Sequence, residues 1–265
     1  MVRILTVSDK VVPQLYGEHA RDVVGEVDLI LACGDLPYYY LDFLATTLQV
    51  PFYYVFGNHP MGAHLRWPGK RPIPKGANLH GRVVHHRGLL IAGLEGSRRY
   101  RPGARYQYTE GEMALQCLRL VPRLLWNRLV HGRYLDILVT HAPPRHIHDA
   151  EDPAHRGFTC FRWFMRIFRP RYLIHGHKHV YRRDEPTRTR FYDTMVINTY
   201  PYGILTLSPE EEPLPDRTRP SGWRFSSLPA ILRTLGRRWV EKVLTRVFPA
   251  GGGKGRSQEG EKEAT

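Results

Sequence analysis

The chain has 265 residues, 42% hydrophobic and 24% charged, and its 39 Lys plus Arg against 25 Asp plus Glu give a formal net charge of +14. That size fits one sizeable domain with a large core more readily than two. The three cysteines, Cys33, Cys117 and Cys160, have no paired spacing and sit in mostly apolar sequence, which argues against a disulfide framework and a thiolate metal site.

No apolar run reaches the roughly 20 residues of a bilayer span, so no transmembrane segment is expected. Residues 2–7 lead directly into Ser8-Asp9 and leave no room for a signal peptide. A cytoplasmic protein is the expectation. The positive balance attracts anions of any kind, from a small phosphate ester to a nucleic acid. Arginines are spread along the chain, so part of the excess is a general surface property.

In chain order, short apolar runs at 2–7, 27–31, 50–56, 89–92, 135–139 and 172–174 predict strands buried on both faces. Helices are predicted between them at 13–24, 39–48, 109–129 and 158–168, the third capped by Thr109 with Glu110 and Glu112 in its first turn. Strands at 180–183, 190–192, 195–199 and 203–207 complete an α/β order with a more antiparallel end. Four prolines and a run of acids mark 209–225 as a linker. Residues 226–249 then place Leu228, Ile231, Leu232, Leu235, Trp239 and Val243 at helical spacing beside a basic face. Such a helix can pack on the domain, self-associate or touch an anionic membrane or nucleic acid. The glycine-rich, charged residues 250–265 read as a disordered tail.

Polar residues gather just after the predicted strands. Asp9 follows the first, Asp35 the second, Asn58 and His59 the third, His141 the 135–139 strand, and His177 and His179 the 172–174 strand. Ligands meet loops at the carboxyl ends of strands in open α/β sheets. Singly, each residue has a structural reading as a cap, an Asx turn or a hydrogen-bonded loop histidine. Together at five strand ends, they supply the oxygen and nitrogen ligands of a metal centre, and metal-assisted hydrolysis of a phosphate ester is the chemistry that such a centre suits. The imidazoles favour manganese, iron or zinc over calcium.

These motifs, in this order, resemble those of the calcineurin-like metallophosphoesterase superfamily: an aspartate, Gly34-Asp35, Gly57-Asn58-His59, His141, and Gly176-His177-Lys178-His179. The resemblance covers about residues 1–207 and implies a metallophosphoesterase domain at 1–208, a four-layer sandwich of two central mixed β-sheets flanked by helices. It also implies two divalent ions bridged by Asp35, with Asn58, His141 and His177 on one and Asp9 and His179 on the other. His59 then stands beside the substrate and acts with Asp35 in catalysis.

Two positions depart from the family pattern. Val11 stands where the first loop usually offers a histidine ligand, and Pro60 where an acid usually follows His59. Valine cannot coordinate an ion, which weakens the first-metal position. Residues 144–160 hold His148, Asp149, Asp152 and His155, of which His155 is the expected substrate contact; Arg98 is a second, as a phosphate-binding guanidinium. Beside the hydrolase stand two other readings. One is a catalytically weakened metal-binding regulator of the same fold, and the other a nucleic-acid-binding protein supported by charge alone, with no recognisable module.

Overall fold

The computed structural model describes residues 1–59 and 76–208. The chain begins with β1 (Val2–Val7), a short 3-10 turn (Pro13–Leu15), α1 (Ala20–Val24), β2 (Leu29–Ala32), α2 (Tyr38–Leu48) and β3 (Phe52–Tyr54). After the undescribed stretch come β4 (Gly76–Asn78), β5 (Val83–His86), β6 (Leu89–Leu94), β7 (Ser97–Arg98) and β8 (Gln107–Tyr108). The last part is α3 (Glu110–His131), β9 (Ile137–Thr140), α4 (Thr159–Phe168), β10 (Tyr172–His175), β11 (Arg188–Phe191), β12 (Thr194–Asn198) and β13 (Tyr202–Leu207).

Two mixed sheets form the centre, one in the order β13-β1-β2-β3-β4 and the other β11-β12-β10-β9-β6-β5. In the first sheet β1 to β4 run parallel and β13 antiparallel; in the second, β6, β9, β10 and β12 run parallel between antiparallel edges. Right-handed crossovers that keep stepping in one direction place their helices on one face of a sheet. So α1 and α2 cover the outside of the first sheet, α3 and α4 the outside of the second, and the four-layer sandwich follows.

Strand residues alternate between layers, as a two-residue period requires. Ile4, Leu29 and Leu31 from one sheet and Ile91, Ile137, Val139 and Ile174 from the other fill the space between the sheets. Their neighbours Leu5, Val7 and Ile30 face the other way, against Tyr40, Leu41 and Leu44 of α2. Each large side chain so buried contributes about 1.5–3 kcal/mol.

Local chemistry explains the helices. Thr109 and Glu112 form a reciprocal capping box, with Glu112 N–H bound to Thr109 Oγ1 at 3.2 Å and Thr109 N–H to the Glu112 carboxylate at 2.8 Å. Pro122 lies inside α3 on the solvent side and does not end it. The start of α4 has no cap of its own. Instead, the Glu110 carboxylate accepts the Thr159 N–H at 3.2 Å and the Cys160 N–H at 2.7 Å, which ties the two helices together.

Three expectations differ from the structure. The helix expected at 13–24 is a 3-10 turn and a short α1, interrupted around Gly17, with Leu15, Ala20 and Val24 still buried. Residues 180–183 form no strand; the chain turns there instead, with Glu185 N–H on Arg182 O at 3.3 Å. The short strands β4, β7 and β8 and the hairpin partner β5 had no clear apolar pattern and were not expected. The linker, C-terminal helix and tail expected beyond 208, and Pro60, lie outside the described residues.

At the end of the second sheet away from the strand-end loops, Asp136 is fully buried. It accepts the Leu90 N–H at 2.8 Å and both carboxylate oxygens face Arg133 Nε at 2.9 and 3.0 Å, with Arg171 at 3.9 Å. Replacement Asp136→Ala leaves the buried Leu90 N–H without its acceptor and removes the carboxylate that Arg133 pairs with, and is expected to cost about 1–3 kcal/mol. Urea unfolding checks it, with bound metal per folded chain expected to stay as in the parent.

Candidate metal centre

All five motif loops leave the carboxyl ends of strands, three from the first sheet (β1, β2, β3) and two from the second (β9, β10). Because the parallel strands of both sheets end in one place, the loops converge. The turns that carry them are tight: Asp9, Asp35 and His177 all take left-handed backbone conformations, with φ of 62°, 54° and 66°. Such angles cost a non-glycine residue roughly 1 kcal/mol or more, and they cluster where a structure must aim a side chain.

Two glycines permit the approach. Gly34, at φ 100°, lies against the His141 ring and the Gly57 backbone, so a Cβ there has no room. Gly176 lies in the same way against the Asp9 carboxylate and Ser8. Ser8 Oγ beneath it is buried without a hydrogen-bond partner.

Asp35, His141 and His177 each offer one ligand atom, and these lie within 4.8 Å of one another. His141 is fully buried. Its Nδ1–H donates to the Cys33 carbonyl at 2.8 Å, and its Nε2 faces two acceptors, Asn58 Oδ1 at 2.9 Å and Asp35 Oδ2 at 3.3 Å, which a proton or a cation at that nitrogen satisfies. His177 donates Nε2–H to the Ala154 carbonyl at 2.7 Å, which leaves Nδ1 free on the other side of the ring. Its ring centroid is 4.7 Å from that of His141.

The electrostatics fit a cation. Burial alone pushes His141 down, but the Asp35 charge and hydrogen bond outweigh it and raise its pKa well above the ordinary histidine value. Burial likewise pushes Asp35 up, and is outweighed by His141 and by the His59 N–H donated at 2.8 Å, so its carboxyl lies well below the usual range. Three acceptor atoms thus surround a point where a positive charge is required. For His177 the balance goes the other way: burial, with the neighbouring His141, outweighs the Ala154 carbonyl and the Asp9 charge and depresses it to about 3, which keeps it neutral, the form in which imidazole binds metal. The residues present fit one divalent ion here, with Asn58 Oδ1 as a further ligand.

Asp9 and His179 adjoin this cluster, Asp9 with its carboxylate buried and His179 at the rim. Asp9 Oδ2 accepts the His177 N–H at 2.8 Å, while Oδ1 stands 3.8 Å from His179 Nε2. His179 is half exposed, stacks on Tyr200 at 4.5 Å between centroids, and pairs through Nδ1 with the Tyr181 hydroxyl at 2.9 Å. Val11 packs with the α1–α2 layer and lends nothing to this side.

The remaining candidates fall into two groups. His155 is beside the centre: its ring is 5.2 Å from His177, and its Nδ1 is held by Asp152 at 2.9 Å. Arg98 is occupied elsewhere, in an ion pair with Glu110 and over the Phe158 ring at 5.6 Å, where it balances the carboxylate that caps α4. Asp149 ties its loop together by accepting from Arg145, His146 N–H and Gly157 N–H. His148 links by 3.0 Å to His175 and by 2.8 Å to Thr189, a chain that supports the Gly176-His177 turn from behind.

One contributor is more central than the sequence pattern indicates. The Tyr100 hydroxyl meets Asn58 Nδ2 at 3.1 Å and His59 Nε2 at 3.2 Å, and so orients a ligand amide and the adjacent histidine together. Its position after Arg98-Arg99 gave only a generic loop signal. The Cys33 and Ala154 carbonyls that set the two imidazole tautomers have no sequence signal at all.

A carboxylate and paired imidazoles at the joint ends of two sheets give this α/β protein a group of side chains that could hold a metal ion. The sequence model of the calcineurin-like phosphoesterase family matches residues 7–181, and the chain belongs to that family. One solved crystal structure is similar with a TM-score of 0.50 at 15% identity, covering 77% of this chain and 94% of the other. TT1561 of Thermus thermophilus is similar with a TM-score of 0.49 at 17% identity, covering 75% and 88%. No curated protein sequence matches the chain.

Tyr100→Phe removes the hydroxyl and leaves the fold intact. Metal affinity is expected to fall roughly 10–100-fold, the usual consequence of losing a partner that orients a ligand. Titration calorimetry with manganese and zinc measures it.

Proposed function

We propose that the protein is a metal-dependent phosphoesterase that hydrolyses a phosphate mono- or diester with activated water. The observation that carries this reading is the convergence of Asp35, His141 and His177 within one small volume. In this reading Asn58, His141 and His177 would hold one ion, Asp9 and His179 would contribute to a second, and Asp35 would be shared between them. A bound divalent cation of the manganese, iron or zinc type supplies Lewis-acid charge and lowers the pKa of bound water.

The chain's own residues do the rest. Cys33 O and Ala154 O keep His141 and His177 in the tautomers that present a lone pair inward. His59, exposed and steadied by Tyr100, faces solvent from its place beside Asp35, where it hydrogen-bonds a phosphoryl or leaving-group oxygen. His155, steadied by Asp152, does the same from the His177 side. Arg98, by its pairing with Glu110, acts on the site by fixing α3 and α4 rather than by reaching phosphate.

A second reading, a metal-binding regulator of weak turnover, has one observation in its favour: Val11 belongs to the outer core, where the family usually has a ligand. The two are separated by counting metal and turnover in the same samples, using stripped protein reloaded with manganese, iron, zinc or magnesium and a panel of phosphate mono- and diesters. The hydrolase reading expects metal-dependent turnover that a chelator abolishes and reloading restores. Stoichiometric metal without turnover on any ester would overturn it in favour of the regulator.

Residue variants divide the roles further. Asp35→Asn is expected to lose metal by more than the roughly 100-fold that an outer partner costs, and turnover with it. His59→Ala is expected to keep its metal and lower kcat by roughly 100-fold. Metal analysis paired with steady-state kinetics distinguishes these outcomes.

A further inference from the structure

The outer layer formed by α3 and α4 has a charge pattern that the metal centre does not account for. From Met113 to the end of α3, and again through the whole of α4, there is no Asp or Glu. The buried side of α3 is the expected one, with Met113, Cys117, Leu120 and Leu124 against the sheet. The side opposite is also apolar. Leu125 is 52% exposed, Trp126 55%, Leu129 79% and Val130 52%. At 100° per residue these four share one stripe, which Leu118 and Pro122 extend toward the helix start for about 18 Å in all. By the same spacing Arg119 and Arg123 run along one edge of the stripe, and Arg128 along the other.

A surface helix of a soluble domain puts polar residues where these lie, and a contiguous exposed apolar patch with a polar rim marks a binding face. Its chemistry selects the occupant. A second copy of the chain would bring the same arginines against these. The chain's own 226–249 segment carries Arg233, Arg237, Arg238, Lys242 and Arg246, and would also meet like charge. An anionic partner is therefore required. The face is a ridge rather than a groove, with the most exposed side chain, Leu129, at its crest. A ridge of Leu, Trp and Val between arginines suits a deformable layer with an acidic surface and apolar interior.

We propose that the α3 face is a docking surface for an anionic lipid bilayer, on which the protein lies with Trp126 and Leu129 in the headgroup region and the arginines on lipid phosphates. No helix among the described residues is long and apolar enough to cross a membrane. The inference stands independently of the metal centre and of any turnover.

The test uses the full chain with vesicles of phosphatidylcholine alone, and with vesicles in which about a third of the lipid is phosphatidylserine. Co-sedimentation is expected with the anionic vesicles and not with the neutral ones, and added salt should weaken it. Two double variants separate the contributions: Trp126→Glu with Leu129→Glu, and Arg123→Glu with Arg128→Glu. Each is expected to reduce binding by roughly tenfold or more, while thermal unfolding and metal content stay as in the parent. Failure of the parent chain to bind anionic vesicles overturns the proposal. So does equal binding by the variants, which would move the contact elsewhere on the molecule. Self-association lost in the Trp126→Glu, Leu129→Glu variant, without vesicle binding by the parent, would assign the face to a second copy instead.

Discussion

Everything at the strand ends depends on a buried carboxylate meeting a buried imidazole. Asp35 and His141 come from different sheets, and their contact at 3.3 Å joins the two at the point where the loops converge. Neither group is stable there alone: burial disfavours the charged form of each, and only the partner's opposite charge restores it. A cation between them satisfies the same electrostatic demand from the other direction, since it replaces the proton on His141 and keeps Asp35 ionised. The arrangement is thus held ready for positive charge before any arrives.

The scaffold makes that contact by topology rather than by a long-range search of loops. Two sheets, each with parallel strands at its centre, are packed so that both sets of carboxyl ends lie together, and each strand delivers its residue within a few positions of its last hydrogen-bonded pair. Short turns with left-handed Asp9, Asp35 and His177 then leave little freedom in aim. The cost of those angles is met by backbone contacts that specify them, such as Asp9 N–H to Gly34 O at 3.1 Å and Gly176 N–H to His141 O at 3.1 Å. These cross-loop hydrogen bonds link the motifs to one another before any ligand does.

Much of this was legible in the sequence, and for identifiable reasons. Strands buried on both faces are continuous apolar runs, so β1, β2, β6, β9 and β10 could be placed and the acids and histidines seen to follow them. The Thr109 capping box declared the start of α3. Less legible was whatever depends on partners distant in the chain. Gly17 divides the 13–24 helix although its apolar spacing is helical, and residues 180–183 are apolar and β-favouring in part yet enter a turn, with Arg182 O accepting from Glu185 N–H. At the site, the candidate ligand residues could be named but not their tautomers, because carbonyls at Cys33 and Ala154 decide those. Arg98 shows the converse: a guanidinium near a cleft has the right chemistry for phosphate, and only the fold discloses that Glu110 has already engaged it.

The two halves of the centre are not equivalent, and the difference follows from what each rests on. Asp35, Asn58, His141 and His177 are backed by fully folded strands, by carbonyl acceptors and by the Tyr100 hydroxyl, so their geometry is over-determined. On the other side the Asp9 carboxylate is buried and fixed by the His177 N–H, but His179 stands at the rim, held by an aromatic stack and an exposed tyrosine instead of a buried carbonyl. Val11, the residue that family pattern would turn toward this rim, is committed to the outer hydrophobic layer. Stability and ligation compete for that single position, and the core has taken it. A cation offered on the His179 side would therefore meet fewer fixed donors and more solvent than one at Asp35, His141 and His177.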